Sequence, residues 1–444
     1  MAQRSSWPSW DPIKFGWAAG ELGLAGYAAI STVYLLYYAT QVLGIPPIWA
    51  GVALLVPRIW NIVGDPVVGV ISDRTRSRFG RRRPYLVLGA VVWGGAFCLL
   101  FSLSGSDSPL MTGLIFSGVF LLNNTGLTIY QVPYTAMVAE MTSDPRERTE
   151  LVAYKEIAAR VGVLGALLLT PRLLASAESP IAGFRTIGAI FGGVIIASGI
   201  FAFFATAKAR STASVAKHLS FTAQFNALRG NRPFVFVTSA FLFVNMGDAV
   251  FAGSLVYYVT EVLHWNASAV GALYPVSSVA GIVAAPIWAT AANRWGKAAA
   301  CRITLAGLTI CCALPLLFSA NGSWLMYPFM ALYGAFNTGS RLLPNAMVPD
   351  TVEIDQKQTG DRREGAMFGA FVFVQQSGFA VGGFVLSLLL TLADVHGAQP
   401  ISSADRLTGV ALCFTVAAGL LYGMAFLSIL GYAPNTGTDS EHSV

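Results

Sequence analysis

The sequence contains little charge for its length. Of its 444 residues, 55% are hydrophobic and 11% are Asp, Glu, Lys or Arg, whereas a soluble domain carries about 25% charged residues. A surface with so few ionised groups is not suited to water, so lipid must cover most of it. The formal net charge of +6 does not indicate nucleic acid binding, because the cations lie in loops and no basic face is interleaved with aromatic residues.

Histidine and cysteine are scarce, and neither has the spacing of a metal site. The four histidines are scattered in loops and the tail, and all five cysteines fall in apolar segments, where we expect small core residues. The sequence also lacks a Walker motif, a nucleophile elbow and a zincin helix. We therefore expect neither an enzyme nor an ATP-driven pump, and no metal or cofactor.

Long apolar runs, in contrast, are abundant. A membrane helix needs about 20 predominantly apolar residues, and the runs predict an all-α membrane protein with twelve transmembrane helices. The predicted spans are 15–43, 48–72, 84–105, 111–139, 149–171, 184–207, 233–262, 268–292, 298–319, 323–348, 365–392 and 406–431.

Lys and Arg concentrate in alternate loops. The loops after the second, fourth, sixth, eighth and tenth spans are basic, and the opposite loops contain few cations. Because positive loops remain on the cytoplasmic side, we predict a multi-pass protein of the inner (plasma) membrane with both termini in the cytoplasm.

The chain contains an internal repeat. Tyr37-Tyr38-Ala39-Thr40-Gln41-Val42-Leu43 returns in the second half as Tyr257-Tyr258-Val259-Thr260-Glu261-Val262-Leu263. Such parallel repeats are typical of transporters built from two similar halves around a central cavity. We predict six-helix bundles over 1–208 and 232–432, a cytoplasmic linker over 209–231, either solvated or amphipathic, and a tail over 433–444.

The loop after the second span resembles the loop signature of the major facilitator superfamily. Gly69-x-x-x-Asp73-Arg74 precedes a cluster of arginines. In that superfamily this loop bridges helices on the cytoplasmic side and stabilises the outward-open state. The resemblance implies the major facilitator fold, with conformational gating by Gly69, Asp73, Arg74, Arg78, Arg146 and Arg362.

More specific stretches are similar to the glycoside–pentoside–hexuronide:cation symporter family, the melibiose-carrier group. They occur in family order as Asn61-x-x-Gly64-Asp65-Pro66, Thr75-Arg76-Ser77-Arg78-Phe79-Gly80, Asp144-x-Arg146-Glu147-Arg148 and Asp350-Thr351-Val352-Glu353. The resemblance implies cation-coupled transport of a sugar or glycoside.

The cation site departs from the pattern of this family. Sodium-coupled members place two carboxylates one turn apart in the second helix and another in the fourth, where this chain has Asn61, Asp65 and Gln131. With Asp65 alone remaining, coupling to a proton is favoured over sodium. Sodium held with neutral oxygens of Asn61, Thr128 and Gln131 stays open, as does uncoupled transport.

The substrate positions depart as well. The sugar-contacting acid of the family's first helix matches Ala25, its arginine in the fifth matches Glu156, and its lysine in the eleventh matches Gln376. Glu21, one turn before Ala25, either replaces the missing acid or pairs with a neighbouring helix. For Glu156 the default interpretation is an ion pair with Arg160, four residues on, with Lys155 pointing elsewhere.

Polar residues inside the spans are candidates because a charge at the bilayer centre costs about 2.5–3.5 kcal/mol. Asp65 either binds the coupling cation or forms an ion pair with Arg58. Asp248 has alanine at its repeat position, which makes it a substrate-contact candidate. Polar residues of the fourth span form one stripe that lines a cavity or bonds to another helix: Asn124, Thr128, Gln131 and Thr135.

We therefore interpret the chain as a secondary transporter, most simply a monomer in the lipid bilayer, with cation coupling at Asp65, Asn61, Thr128 and Gln131. Its predicted partner is a small-molecule carbohydrate, contacted by Glu21, Ala25, Gln131, Glu156, Asp248 and Gln376. The alternatives are a transporter of a non-sugar solute such as a lysolipid, a membrane receptor that does not transport, and a membrane enzyme.

Overall fold

The structure is a computed structural model that describes residues 12–106, 108–142, 145–208, 231–266, 269–317, 324–359, 364–393 and 404–432. Within these ranges every regular element is helical, so the predicted all-α class is confirmed. The predicted tail, and the predicted linker apart from Asn231, lie outside the described residues. The domain boundaries therefore stay a prediction.

Six long helices form the first half of the chain and six helical spans the second. The first six are α1 (Pro12–Tyr37), α2 (Pro47–Arg74), α3 (Arg83–Leu100), α4 (Pro109–Met141), α5 (Pro145–Ala175) and α6 (Pro180–Ala205). The others are α7 (Arg232–Tyr257), α8 (Val270–Trp295), α9 (Lys297–Cys311), α10 (Met326–Thr359), α11 (Glu364–Leu392), α12 (Ala404–Leu412) and α13 (Ala418–Leu430). A π-helical turn, Cys413–Ala417, joins α12 to α13 in one span.

The internal repeat is visible in the backbone. Helix α1 continues into a π-helical turn at Tyr38–Val42, and α7 continues into another at Tyr258–Val262, the same positions of the repeated sequence. In both turns the tyrosine hydroxyl donates to a backbone oxygen just beyond the third helix of its half, Tyr38 to Leu103 and Tyr258 to Pro315, each at 2.9 Å. The repeat predicted from sequence thus preserves an irregular turn together with its anchor.

Proline and short polar residues define where several helices begin. Proline occupies one of the first two positions of α2, α3, α4, α6 and α7, where its missing N–H costs nothing. The side chains of Ser108, Ser179 and Asn231 accept a bond from the backbone N–H three residues on, which satisfies a donor that the helix leaves free.

Eleven helices of the described residues are long and apolar enough to cross a membrane. The predicted tenth span is the one that falls short. Helix α10 has 34 residues, which is ample length, but it contains Asn337, Arg341 and an acidic end. The prediction ended this span at 348, where the apolar run ends. The helix continues to Thr359, because polar residues also form a helix outside the apolar layer of the membrane.

The ninth span is shorter than predicted. Helix α9 ends at Cys311 rather than 319 and is followed by a 3₁₀ turn, Leu314–Leu317. Pro315 lies in that turn, and proline cannot donate the backbone bond that an α-helix would need there.

The described residues divide into two compact units. The first lies within Met1–Ala216, Val259–Ala272 and Ser387–Ser402, and the second within Lys217–Tyr258, Leu273–Leu386 and Ser403–Val444. In the first unit, α1 packs on α5 and α6, and α3 packs on α4 and α6. In the second, α7 packs on α13 and α10, and α9 on α10 and α13.

Glycine permits the closest contact in the first unit, between α3 and α4. A Cβ on Gly89 would lie 2.5 Å from the backbone nitrogen of Tyr130, and one on Gly126 would lie 2.5 Å from that of Trp93. Small residues at such crossings let helices approach where lipid offers no hydrophobic drive for association. Four of the five cysteines are buried, and Cys98 is partly buried, which agrees with the predicted packing role.

Candidate functional site

A polar cluster joins α2 to α4 in the first unit. The hydroxyl of Thr128 donates to Asp65 Oδ1 at 2.8 Å and lies 3.4 Å from Asn61 Oδ1. Asn61 in turn donates through Nδ2 to Asn124 Oδ1 at 3.3 Å, and Asn124 donates to the backbone oxygen of Phe120. The structure therefore brings three of the four predicted cation-coupling residues together.

Helical spacing explains this cluster. Asn61 and Asp65 are four residues apart on α2, and Asn124 and Thr128 are four apart on α4, so each pair lies on one face of its helix. Thr128 is 3% exposed and holds one oxygen of Asp65. Among the described side chains, none donates to the other oxygen, Oδ2, and the alternative partner Arg58 has a side chain outside the described set. Asp65 thus retains acceptor capacity.

The fourth predicted coupling residue, Gln131, does not join the cluster. Its side chain is half-buried and forms no hydrogen bond with the described residues. Thr135 is exposed, and its hydroxyl donates to the backbone oxygen of Gln131 in its own helix at 2.9 Å. Interhelical bonding is therefore confirmed for the half of the stripe that contains Asn124 and Thr128, but not for the other half.

Glu21 pairs with a neighbouring helix. The Nζ of Lys155 on α5 lies 3.9 Å from its Oε2, and the Glu21 side chain is 14% exposed. The expectation that Lys155 points elsewhere is wrong. The expected ion pair of Glu156 with Arg160 is wrong as well: both side chains are exposed, and no ion pair joins them. An exposed pair of this spacing gains only about 0.3–0.5 kcal/mol, which is too little to fix two long side chains.

Ala25 is a packing position in this structure. It is 8% exposed, and a Cβ placed on Gly162 of α5 would lie 3.2 Å from the Ala25 Cβ. The position that matches the sugar-contacting acid of the family is thus filled by a small side chain between two helices.

A second cluster surrounds Asp248 on α7, in the second unit. Its Oδ1 accepts bonds from Asn337 Nδ2 at 2.6 Å, from the Tyr422 hydroxyl at 2.8 Å and from the Tyr333 hydroxyl at 3.4 Å. Its Oδ2 accepts a bond from Arg341 Nη1 at 2.8 Å. Four donors from α10 and α13 therefore satisfy this carboxylate.

The charge of this cluster is balanced. The Asp248 side chain is 8% exposed, and burial of a carboxylate requires a partner such as the Arg341 guanidinium. Arg341 itself is 37% exposed, and its guanidinium carbon lies 5.7 Å from the ring centre of Phe379 on α11. The group that the cluster presents outward is therefore Arg341 rather than Asp248. Gln376, the other candidate of the second half, is exposed on α11.

From the sequence alone, Asn337 and Arg341 are weak cavity candidates, and nothing singles out Tyr333 or Tyr422. The signal was available in α10, where Tyr333, Asn337 and Arg341 follow each other at steps of four and so share a helix face. No local pattern connects Tyr422 with these residues.

The predicted gating loop forms ion pairs, but largely through other residues. Asp73 accepts a bond from Arg82 Nη2 at 2.7 Å, and Arg82 also lies 3.5 Å from Glu140 of α4 and donates to the Ala136 backbone oxygen. Arg74 and Arg78 are exposed, and Gly69 is buried. The predicted Arg362, and the side chain of Arg146, lie outside the described set.

The second half has a similar ion pair. Lys297, the first residue of α9, donates to both carboxylate oxygens of Asp350 at 2.7 Å and to the Ala346 backbone oxygen at 3.0 Å. No group of three His, Cys, Asp or Glu side chains in the described part of the chain is arranged to hold a metal ion.

Comparison with known proteins identifies the family. Residues 16–433 match the family model described as MFS/sugar transport protein. The chain belongs to this family. It is 29% identical over 441 residues to the uncharacterized symporter YnaJ of Bacillus subtilis, covering 94% of this chain and 91% of that one. It is 26% identical over 427 residues to the putative glycoside/cation symporter YagG of Escherichia coli, covering 94% and 91%.

A solved structure shows the same fold. The crystal structure of the nucleoside transporter NupG superposes with a TM-score of 0.65 at 14% identity, covering 95% of this chain and 99% of that one. The major facilitator fold predicted from the sequence is therefore confirmed. The protein is a multi-pass membrane transporter of this family, not an enzyme, and it acts on a small molecule.

Proposed function

We propose that the protein carries a sugar or glycoside together with a cation, and that the cation is a proton rather than sodium. The observation that carries this proposal is the polar cluster of α2 and α4. Asp65 is a carboxylate in a membrane span, held through one oxygen by Thr128. A relative named as a putative glycoside/cation symporter supports the substrate class.

The donor set of the α2–α4 cluster favours the proton. Hard cations bind through several oxygen atoms, and here sodium would have one carboxylate with the neutral oxygens of Thr128 and Asn61. A proton needs only the Oδ2 of Asp65. Protonation also removes a charge that is expensive inside a membrane, so a loaded carrier can change conformation at lower cost than an empty one.

We infer that Arg341 provides the substrate contact of the second half in place of Asp248. Asp248 already accepts four bonds, whereas the Arg341 side chain is partly exposed and forms one hydrogen bond, to Asp248, among the described residues. A guanidinium has five N–H donors in a planar fork, which suits the hydroxyl and ring oxygens of a sugar. Asp248 then acts as the group that orients Arg341.

The proposed location and membrane topology follow from the distribution of charge. The basic loops favour an inner-membrane protein with both termini in the cytoplasm. We propose that it works as a monomer by alternating access, as transporters built from two repeats do.

Proteoliposomes that contain the full-length protein test this function. A pH gradient should drive accumulation of a labelled glycoside, and a sodium gradient should not. Asp65→Asn should lower accumulation at least about tenfold, because uphill transport of the glycoside would no longer be coupled to the cation. Exchange of labelled for unlabelled glycoside should persist. Thr135→Ala, an exposed hydroxyl on α4, is the control and should transport normally.

Three results would contradict the proposal in different ways. Accumulation driven by sodium alone would show that the proton assignment is wrong. Unchanged accumulation by Asp65→Asn would remove the coupling role of Asp65. Transport of a lysolipid without transport of any glycoside would show that the substrate is not a sugar or glycoside.

A further inference from the structure

A cavity of about 240 Å³ lies in the first unit, where the loop between α2 and α3 meets the ends of α4 and α6. Its lining includes four arginines and one carboxylate, together with the ring of Phe79: Arg78, Arg81, Arg82, Arg83 and Glu140. We call it the arginine cavity. The proposed transport function does not use its excess of positive charge.

The arginines of this cavity are only partly compensated. Arg82 pairs with Asp73 at 2.7 Å, and Arg81 and Arg82 share Glu140 at 3.6 and 3.5 Å. Arg78 and Arg83 have no carboxylate within 4.0 Å among the described residues. Four guanidinium groups therefore face two carboxylates, which leaves two positive charges without a carboxylate partner among the described residues.

Backbone contacts hold Arg83 in place. Its Nε and Nη2 donate to the backbone oxygen of Phe203 at 3.2 and 2.6 Å, its Nη1 donates to that of Phe79 at 3.1 Å, and the guanidinium stacks over the Phe203 ring at 4.6 Å. Gly80 adopts a φ of 96°, which a residue with a Cβ rarely does, and this turn leads the chain into Arg81–Arg83. The fold itself therefore holds Arg83 in the lining of the arginine cavity.

Guanidinium groups in such an arrangement recognise phosphate. The planar fork binds phosphate oxygens with two parallel bonds, which an ammonium group cannot do. The cavity volume corresponds to about eight water molecules at ~30 Å³ each, which leaves room for a phosphate group and part of a headgroup.

The surroundings indicate a lipid as the source of the phosphate. Thr206 and Ala207 line the cavity directly after α6, and the last turns of α6 expose Phe204 to 66% and Phe201 to 49%. The apolar surface of a membrane span therefore leads to the cavity. The loop is among those predicted to be cytoplasmic, and the inner leaflet carries anionic lipids that attract basic segments beside membrane helices.

We propose that the arginine cavity binds the phosphate group of an anionic phospholipid of the inner leaflet. Arg83 and Arg78 provide the uncompensated charge, Arg82 stays paired with Asp73 and Glu140, and the acyl chains lie along the exposed phenylalanines of α6. This lipid site is separate from the α2–α4 cluster and from the Asp248 cluster.

Native mass spectrometry of the purified full-length protein, released from nanodiscs that contain equal amounts of phosphatidylglycerol and phosphatidylcholine, tests the proposal. The wild type should retain phosphatidylglycerol in preference to phosphatidylcholine by roughly tenfold or more, as expected for two basic groups at an anionic leaflet. Arg78→Gln with Arg83→Gln should abolish the preference. Arg294→Gln, an exposed arginine at the end of α8, is the matched control and should keep it.

Arg78→Gln alone keeps the test valid if the double variant does not fold, because the Arg78 side chain is exposed and forms no hydrogen bond or ion pair with the described residues. It should lower the preference several-fold. Equal retention of both lipids by the wild type would overturn the proposal. An equal loss in Arg294→Gln would do so as well, since it would indicate diffuse attraction to the surface. Displacement of phosphatidylglycerol by inorganic phosphate with equal stabilisation of the protein would assign the site to a free anion instead of a lipid.

Discussion

Asp65 in the first unit and Asp248 in the second are both carboxylates on membrane spans, and they differ in how their oxygens are satisfied. Asp65 on α2 accepts one bond, from Thr128, and keeps its second oxygen available among the described side chains. Asp248 on α7 accepts four, including one from Arg341. The first is suited to take up a proton, and the second to hold an arginine in position.

The repeat explains why the difference is possible. When the two halves are aligned without gaps, with Tyr37 on Tyr257, the positions equivalent to Asp65 and Asp248 are Ala285 and Ala28. Each half has thus placed its acid on a different helix. The repeated backbone preserves helix order and the π-helical turns, but it does not preserve the polar chemistry of the spans.

The loop ion pairs show the opposite behaviour. Arg82 precedes α3 and reaches the Ala136 backbone oxygen and Glu140, while Lys297 begins α9 and reaches the Ala346 backbone oxygen and Asp350. In each half the carboxylate follows the alanine by one helical turn. A cation at the start of the third helix, bonded near the end of the fourth, is therefore common to both halves.

The largest effect on stability is expected at Arg341. Arg341→Gln leaves the buried Asp248 carboxylate without its cation, which should cost about 3–5 kcal/mol. Thermal unfolding of the purified protein measures this change. The double variant with Asp248→Asn should recover most of the loss, because it removes the unpaired charge.

A double variant as unstable as Arg341→Gln would mean that the arginine stabilises the protein through packing and not through its charge. The difference between Asp65 and Asp248 would then not be one of charge pairing. Asp65→Asn in the same experiment should change stability by less than about 1 kcal/mol, the range for one hydrogen bond.

The two loop ion pairs should differ in strength although they are alike in position. Arg82 and Glu140 have side chains that are 8% and 12% exposed, whereas Lys297 and Asp350 are 41% and 42% exposed. We expect Arg82→Gln to cost about 3 kcal/mol, as a buried pair does when one partner is lost. Lys297→Gln should cost about 1 kcal/mol or less.

Denaturation of the two single variants at low and high salt checks this ranking. High salt should reduce the effect of Lys297→Gln more strongly, since exposed pairs are screened by salt. Equal losses in both variants would indicate that the two ion pairs have the same environment.

The smallest effect is expected at Thr128. Thr128→Val removes one hydrogen bond to Asp65, worth about 1 kcal/mol, and should slow proton-driven uptake by about fivefold without abolishing it. Initial uptake rates in proteoliposomes measure this change, with Thr135→Val as the control. An uptake rate equal to that of the wild type would show that Thr128 does not help Asp65 in coupling.

Features that depend on local spacing were predictable from the sequence. The spans and the repeat follow from apolar runs and repeated residues, and Asn61, Asp65, Asn124 and Thr128 were predicted to lie on helix faces because a helix repeats about every 3.6 residues. The exceptions have local causes too, such as the turn at Pro315 that ends α9 early.

Features that depend on which helices meet were not predictable. Lys155 faces Glu21 because α5 packs on α1, and Tyr422 reaches Asp248 because α13 packs on α7. Each of these contacts joins residues from distant parts of the sequence. The apolar run predicted the tenth span but not its full length, and its polar residues could not be matched with Asp248 from the sequence because they meet it only when α10 packs on α7.

The π-helical turns at Tyr38–Val42 and Tyr258–Val262 determine how α1 and α7 are oriented about their own axes. A π-helical turn holds one residue more than an α-helical turn, and one residue corresponds to about 100° of rotation. Removal of a residue from the first turn, with Tyr38 still bonded to Leu103, would rotate Glu21 by that angle, away from Lys155. The same deletion in the second turn would move Asp248 away from its four donors. These two irregular turns thus set the rotation of Glu21 about the axis of α1 and of Asp248 about the axis of α7.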